Sequence, residues 1–375
     1  LLNQVSEWNM NAIVFHVRTH NNALYNSKLN PLAHWWDGVD FDVFDPLKYI
    51  IEECHARGIE FHAWMNPYRI TTTGTYPMNS SATSYPEGNP ANDPSNFIQV
   101  DNNIILDPGI PTNRDFIVET CMELVENYDI DAIHFDDYFY ISGADDTETR
   151  KKYNTEGLSL GDFRRKQVDL FIEQLHNEIS AYNEANNKAI EIGISPSGVY
   201  RNGSYSSSTK PQYDSNGNLT YPLYSNTGGF AHYDNYLYSD TKYWIDQEWI
   251  DYITPQTYHG INNKYSPFGK LVEWWNWVVE HKKVNLSFGI GIYMAVDNSG
   301  SWTTPNEFEN QMLLANQGKN TAGLCLYKYG SLFDGSTNMK SHVNAMKSNW
   351  TKKIPSAVKP QHTNLPEVVV RNIKL

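Results

Sequence analysis

The chain has 375 residues, enough for one large domain or two ordinary ones, and 40% hydrophobic against 19% charged residues mark it as globular rather than disordered. Its formal net charge of −14 argues against nucleic acid or an anionic membrane as partner, because both are held by basic patches. No apolar run reaches the length of a membrane span, and three cysteines in apolar patterns give no disulfide framework.

No signal peptide is visible, and the opening LLNQVSEWN reads as a helix in the middle of a fold, so the natural N-terminus is expected to have been removed. A strand is predicted over 11–18 (NAIVFHVR), then a helix over 44–58 with Pro near its start and Gly at its end, then a strand over 59–67 (IEFHAWMNP). Residues 68–106 are polar and rich in Gly, Pro, Ser and Asn and read as a long loop. A helix over 110–128 precedes a strand over 130–138 (IDAIHFDDY), and an amphipathic helix over 157–186 precedes a strand over 189–196. After a polar loop at 199–233 come a helix at 236–249, a strand at 250–258, a helix at 267–282 and a strand at 284–293. A helix at 304–317, a strand at 321–329 and a helix at 338–349 complete the series.

Strands too apolar to have a wet face, alternating with helices, mean a parallel sheet covered by helices. Seven strands are visible, so the pattern predicts a (β/α)8 barrel over 1–352 whose first strand lies upstream of Leu1. Residues 353–375, Pro-punctuated and then β-like, read as a linker and the start of a further β module. A doubly wound open sheet lacks support, because no Gly-rich phosphate loop follows any strand.

In such a barrel the C-terminal strand ends and the loops after them build the active site. Those ends carry Arg18; Trp64, Asn66, Tyr68 and Arg69; Asp136, Asp137, Tyr138 and Tyr140; Arg201 and Asn202; Gln256 and Tyr258; and Tyr293. With 25 Tyr and 11 Trp in the chain, a polysaccharide or oligosaccharide partner fits, since sugar C–H faces stack on aromatic rings. Two adjacent acids at a buried strand end cost stability, and glycoside hydrolysis supplies a reason for them. Alternation along the strand puts His134 and Asp136 on one face, with Asp136 inward as general acid. Asp137 then orients or stabilises charge, and Arg18 or Arg69 holds the second acid ionised. Other carboxyls are few: Asp107, Asp234 and Asp240. The second catalytic group is therefore either loop-borne or an acetamido group of the substrate itself.

His16, His62 and His134 on three consecutive strands allow a zinc reading, but each sits two residues below its strand end, where core packing is the default, and no metal or cofactor is expected. GISPSG lacks the Gly-x-Ser-x-Gly spacing of a serine nucleophile, so Ser195 and Ser197 read as strand-end residues.

Taken together, VRTHNNALYNSKLNP (17–31), FDPLKYIIEECHARGIEFHAWMNPYR (44–69), LDPGIP (106–111), IDAIHFDDYFY (130–140), FRRKQVD (163–169), GISPSGVYRN (193–202), DYITPQTY (251–258) and LVEWWNWVV (271–279) resemble glycosyl hydrolase-like family 10. The resemblance implies a (β/α)8 fold with a strand before this chain's first, export to the cell envelope, and glycan hydrolysis; characterised relatives act on peptidoglycan glycan strands stripped of peptides. It maps the family's aspartate pair onto Asp136 and Asp137, and its other elements onto Asn66 to Arg69 and Pro255 to Tyr258. Tyr200 stands where the family usually has Trp. The leading expectation is a glycoside hydrolase, and the alternative is a glycan-binding barrel without catalysis.

Overall fold

The computed structural model describes residues 1–73, 85–297, 302, 306–332, 335 and 337–350. Seven parallel strands form one sheet in sequence order: β1 (Ala12–Arg18), β2 (Glu60–Met65), β3 (Ala132–Phe135), β4 (Glu191–Ile194), β5 (Tyr252–Ile253), β6 (Asn285–Gly291) and β7 (Thr321–Tyr327). Helices alternate with them: α1 (Leu2–Glu7), α2 (Pro46–His55), α3 (Pro111–Asn127), α4 (Leu160–Asn186), α5 (Thr241–Asp246), α6 (Phe268–Val278), α7 (Glu307–Gln317) and α8 (Thr337–Trp350). This is an incomplete (β/α)8 barrel with β1 and β7 as its two edges. The strand expected upstream of Leu1 has no counterpart among the described residues, and the expected module at 353–375 lies outside them.

Local chemistry sets the helix starts. Asp45 caps α2 by accepting the Lys48 N–H and Pro46 takes the first position, where no N–H is needed; Pro111 does the same for α3. Ser159 caps α4, and Asn187 ends it at φ +51°, a left-handed turn that Asn tolerates. Central strands β3 and β4 are almost wholly buried, as their apolar runs require, whereas the edge strands β1 and β7 keep partly exposed side chains.

Several boundaries differ from expectation. The supposed loop at 68–106 holds an antiparallel sheet, Arg69–Thr71 beside Asn103–Leu106 beside Phe97–Val100, built on buried Ile70, Ile98, Ile104 and Ile105. These runs of three and four residues are too short for periodicity to show against polar flanks. Residues 147–153 form a further short helix, and a small hairpin of Gln212–Tyr213 and Leu219–Tyr221 lies in the polar loop after β4. The expected helix at 236–249 contracts to α5 because Asp240 caps it, accepting the Tyr243 N–H. β5 is short because Pro255 lacks an N–H, yet Gln256 continues the alignment through bridges to Ser197 and Gly289.

Inside the barrel, Tyr252 of β5 reaches across to β2 and β3. Its hydroxyl lies 2.7 Å from His62 Nδ1 and 2.8 Å from His134 Nδ1. Gly193 of β4 leaves the space for this ring, since a Cβ there would sit 1.8 Å from Tyr252 Cζ. Gly193→Ala is therefore expected to destabilise the fold by about 1–3 kcal/mol through overpacking. Urea unfolding measures this, and unchanged stability would place the Tyr252 ring elsewhere.

Candidate active site

Asp136 and Asp137 follow β3 directly, at the C-terminal rim, and retain only 3% and 6% of their exposure. Asp136 faces the barrel interior. Its Oδ2 accepts the indole N–H of Trp64 from β2 at 3.2 Å, and its Oδ1 accepts the Tyr138 N–H at 3.1 Å. Trp64 is held in turn by His16 of β1, stacked at 3.9 Å with an 8° tilt. Asn66 donates to His16 Nε2 at 2.8 Å, and its amide also supports the Asp136 carboxylate. Asp137 turns toward β4, where its Oδ2 accepts the Ser197 N–H at 2.7 Å.

Burial pushes both carboxyls above the ordinary aspartate range, Asp136 to about 6 and Asp137 to about 7. The neighbouring Asp136 charge raises Asp137 further. Arg69 pulls both back, and N–H donors from Tyr138, Trp64 and Asn66 do the same for Asp136. The Arg69 guanidinium lies over the Tyr138 ring, 4.6 Å from its centroid, and Tyr138 is 45% exposed.

Three tyrosines line the rim beyond. Tyr258, Tyr293 and Tyr327 have mutual centroid distances of 5.9, 6.0 and 6.0 Å, and Trp64 meets Tyr327 edge-on at 6.5 Å. Gly291 admits Tyr258, because a Cβ there would lie 2.9 Å from Tyr258 Cγ. Gln256 donates to the Ser195 carbonyl at 2.7 Å, which fixes it to β4. The structure thus brings Asp136, Asp137, Trp64, Asn66, Arg69, Tyr138, Gln256, Tyr258 and Tyr293 to one rim.

Other expected residues lie elsewhere. Arg18 does not hold an acid: it is fully buried and donates to the carbonyls of Asn66 and Pro67, at 2.5 and 2.9 Å, and to Asn21 and Asn30. It fixes the turn that carries Asn66, and desolvation draws its pKa down to about 10. Tyr68 and Tyr140 are core residues with no exposure, against Phe171 and Tyr238 respectively. Arg201 packs on Tyr233 and pairs with Asp234 at 3.4 Å, and Asn202 donates to the Gly229 carbonyl, both on the loop after β4. Tyr200 is buried, stacked on Trp274, with its hydroxyl on Asp240 at 2.8 Å. Asp107, the remaining carboxyl considered, accepts the Gly109 N–H and the Thr149 hydroxyl.

The three histidines do not converge as metal ligands. Both ring nitrogens of His62 and of His134 have hydrogen-bond partners, and no cluster of three candidate ligands occurs among the described residues. Desolvation keeps His16 and His134 neutral, each drawn down to about 3.

Sequence reasoning missed Tyr252 as part of this constellation. A tyrosine opening β5, opposite a glycine in β4, was the available signal for Tyr252. Periodicity carries none for the Ser197 N–H, which is a backbone group.

The profile of the family described as glycosyl hydrolase-like 10 matches residues 1–304. The chain belongs to this family. It is 35% identical over 328 residues to the glycosyl hydrolase YngK of Bacillus subtilis (strain 168), an alignment covering 84% of this chain and 59% of that protein. It is 32% identical over 302 residues to the glycosyl hydrolase DigH of Escherichia coli (strain K12), covering 78% of this chain and 64% of that protein. The chain therefore spans less than two thirds of the length of either relative. The glycoside hydrolase domain of PgaB (BpsB) from Bordetella bronchiseptica shares the fold, with a TM-score of 0.54 at 12% identity over 92% of this chain and 91% of that one.

The raised pKa values carry a stability prediction. Between about pH 4 and about pH 7 the native state keeps protons on this pair that the unfolded chain has released, so stability falls as pH rises through that window. Asp137→Asn removes the ionisation while its amide oxygen still accepts the Ser197 N–H. Its melting temperature is expected to exceed the parent's by a few degrees at pH 8 and to match it at pH 4, as read by thermal scans at both values.

Proposed function

We propose that this protein is a glycoside hydrolase acting on an N-acetylated bacterial polysaccharide, with denuded peptidoglycan glycan strands as the leading substrate. The supporting observation is the asymmetry of the aspartate pair. Asp136 has a hydrogen-bond donor on each oxygen and the Asn66 amide beside it, which favours its ionised form, whereas Asp137 is met by backbone N–H groups alone, that of Ser197 at Oδ2 and its own. Asp137, pushed up by the Asp136 charge as well as by burial, is then the general acid, and Asp136 stays charged. This reverses the roles expected from strand alternation, which places Asp136 inward but says nothing of its donors.

In the proposed reaction the Asp137 proton passes to the glycosidic oxygen as its bond to the anomeric carbon breaks. The acetamido carbonyl oxygen of the same sugar closes on that carbon, and Asp136 accepts the amide N–H and balances the positive charge. Water then opens the intermediate, giving its proton back to Asp137. Trp64, Tyr138 and the tyrosine trio offer ring faces for the flanking sugars, and Arg69 offers N–H donors beside them. An exported, envelope location belongs to the same proposal, and cell fractionation tests it.

Reducing ends released from denuded strands are the assay. Asp137→Asn and Asp136→Asn are each expected to lower kcat by about 10²–10⁴-fold with binding retained. Activity should fall above about pH 7 as Asp137 ionises, and below about pH 6 as Asp136 is protonated. Turnover of glucose oligomers, which lack the acetamido group, would sink substrate assistance. Binding without turnover across N-acetylated glycans would make the barrel a glycan-binding protein instead.

A further inference from the structure

Beneath the aspartate pair a continuous hydrogen-bond chain crosses the barrel from one rim to the other. It runs from Glu60 Oε2 to His62 Nε2 (3.2 Å), from His62 Nδ1 to the Tyr252 hydroxyl (2.7 Å), on to His134 Nδ1 (2.8 Å), and from His134 Nε2 to Ser195 Oγ (2.8 Å). The first residue of β2 supplies one end, and the residue after β4 supplies the other.

An ionised carboxylate only accepts hydrogen bonds, and a neutral imidazole has one donor and one acceptor nitrogen. With Glu60 as acceptor and both imidazoles in their neutral forms, these two facts orient the whole chain. Glu60 accepts from His62 Nε2–H, so His62 Nδ1 is the acceptor and Tyr252 donates to it. The Tyr252 oxygen then accepts from His134 Nδ1–H, so His134 Nε2 is the acceptor for Ser195. Every donor points the same way, and each bond polarises the next. Among the described residues, the only other acceptor within hydrogen-bond distance of the Ser195 hydroxyl is the Phe135 carbonyl, at a weaker 3.4 Å.

The Ser195 proton is thereby held inward, and its lone pairs are left to the rim. The register pairs Phe135 with Ile194, which sets Ser195 beside Asp136 on the next strand, about 4.8 Å away along the sheet. Ser195 is only partly buried. We infer that Ser195 is a further ligand-contacting residue that presents acceptors only, and that with Asp136 it forms an acceptor pair for two adjacent donors on one sugar. The chemical class that fits is a hydroxyl neighbouring an amide N–H, as on an N-acetylhexosamine. This rests on the proposed function for the identity of the ligand, but the direction of the chain does not.

Two measurements on the full chain separate these. Selective ¹⁵N-histidine NMR is expected to show His134 as the Nδ1–H tautomer and His62 as the Nε2–H tautomer. Either ring in the opposite tautomer overturns the inference whatever the substrate. In an Asp137→Asn background, which suppresses turnover, denuded glycan strands are titrated against three proteins. Ser195→Ala is expected to weaken binding about 5–20-fold, an energy suited to a lost hydrogen bond to a charged or polarised group. Tyr252→Phe, which keeps the ring over Gly193 but cuts the chain, is expected to weaken it several-fold. Unchanged affinity in both variants overturns the inference, as does an equal loss for glucose oligomers, which lack the amide donor. Failure of the parent protein to cleave any N-acetylated glycan is a separate result and touches only the catalytic reading.

Discussion

The hydroxyl of Tyr252 ties β5 to β2 and β3 through the barrel interior, and much of the site rests on that tie. The ring can lie there only because Gly193 has no side chain, and desolvation in the dry interior keeps His134 neutral. A polar layer in which each described group has a partner makes a stiff floor, since moving one member leaves others unpaired. Asp136, Trp64 and Ser195 stand on that floor, on three neighbouring strands.

Two carboxyls buried side by side work against folding, because desolvation and mutual repulsion both oppose ionisation. The fold offsets this with directed N–H groups rather than a close ion pair. Trp64, Tyr138 and Ser197 each donate to one carboxylate oxygen, while Arg69 acts through space from above Tyr138. A tight Arg–carboxylate pair would have fixed both acids as ionised and left neither able to give up a proton. Arg18, another arginine at this end, directs its donors to backbone carbonyls and asparagines, and so shapes the Asn66 turn without touching the pair.

The architecture was legible because strand and helix repeats are long-range patterns: seven apolar runs, each followed by an amphipathic segment, have few solutions. The site was legible as a set of strand ends, and Asp136, Trp64, Asn66 and Tyr258 were found that way. What the pattern could not supply was direction after a strand stops. Tyr68 and Arg69 are neighbours, yet one turns into the core against Phe171 and the other out over Tyr138. Arg18 read as a rim cation because its buried acceptors are backbone carbonyls and amides scattered over residues 21 to 67, which no local window contains. The short sheet at 69–106 escaped for a related reason, since its strands are stabilised by one another and not by a periodic face.

Adjacent placement of the two acids also bears on mechanism. Hydrolysis by two protein carboxyls sets them on opposite sides of the scissile bond, so that one protonates the leaving oxygen while the other, or its water, attacks from behind. Residues 136 and 137 leave one strand end together, one toward Trp64 and one toward Ser197, so in the proposed reading both would meet a sugar from the same strand. The other carboxyls once considered are committed: Asp107 to Gly109 and Thr149, Asp240 to Tyr200 and Tyr243, Asp234 to Arg201. A nucleophile carried by the sugar itself removes the need for a second wall. In the proposed reading the pair is matched to its task by environment alone, the acid by its neighbour's charge and the charged partner by its N–H donors.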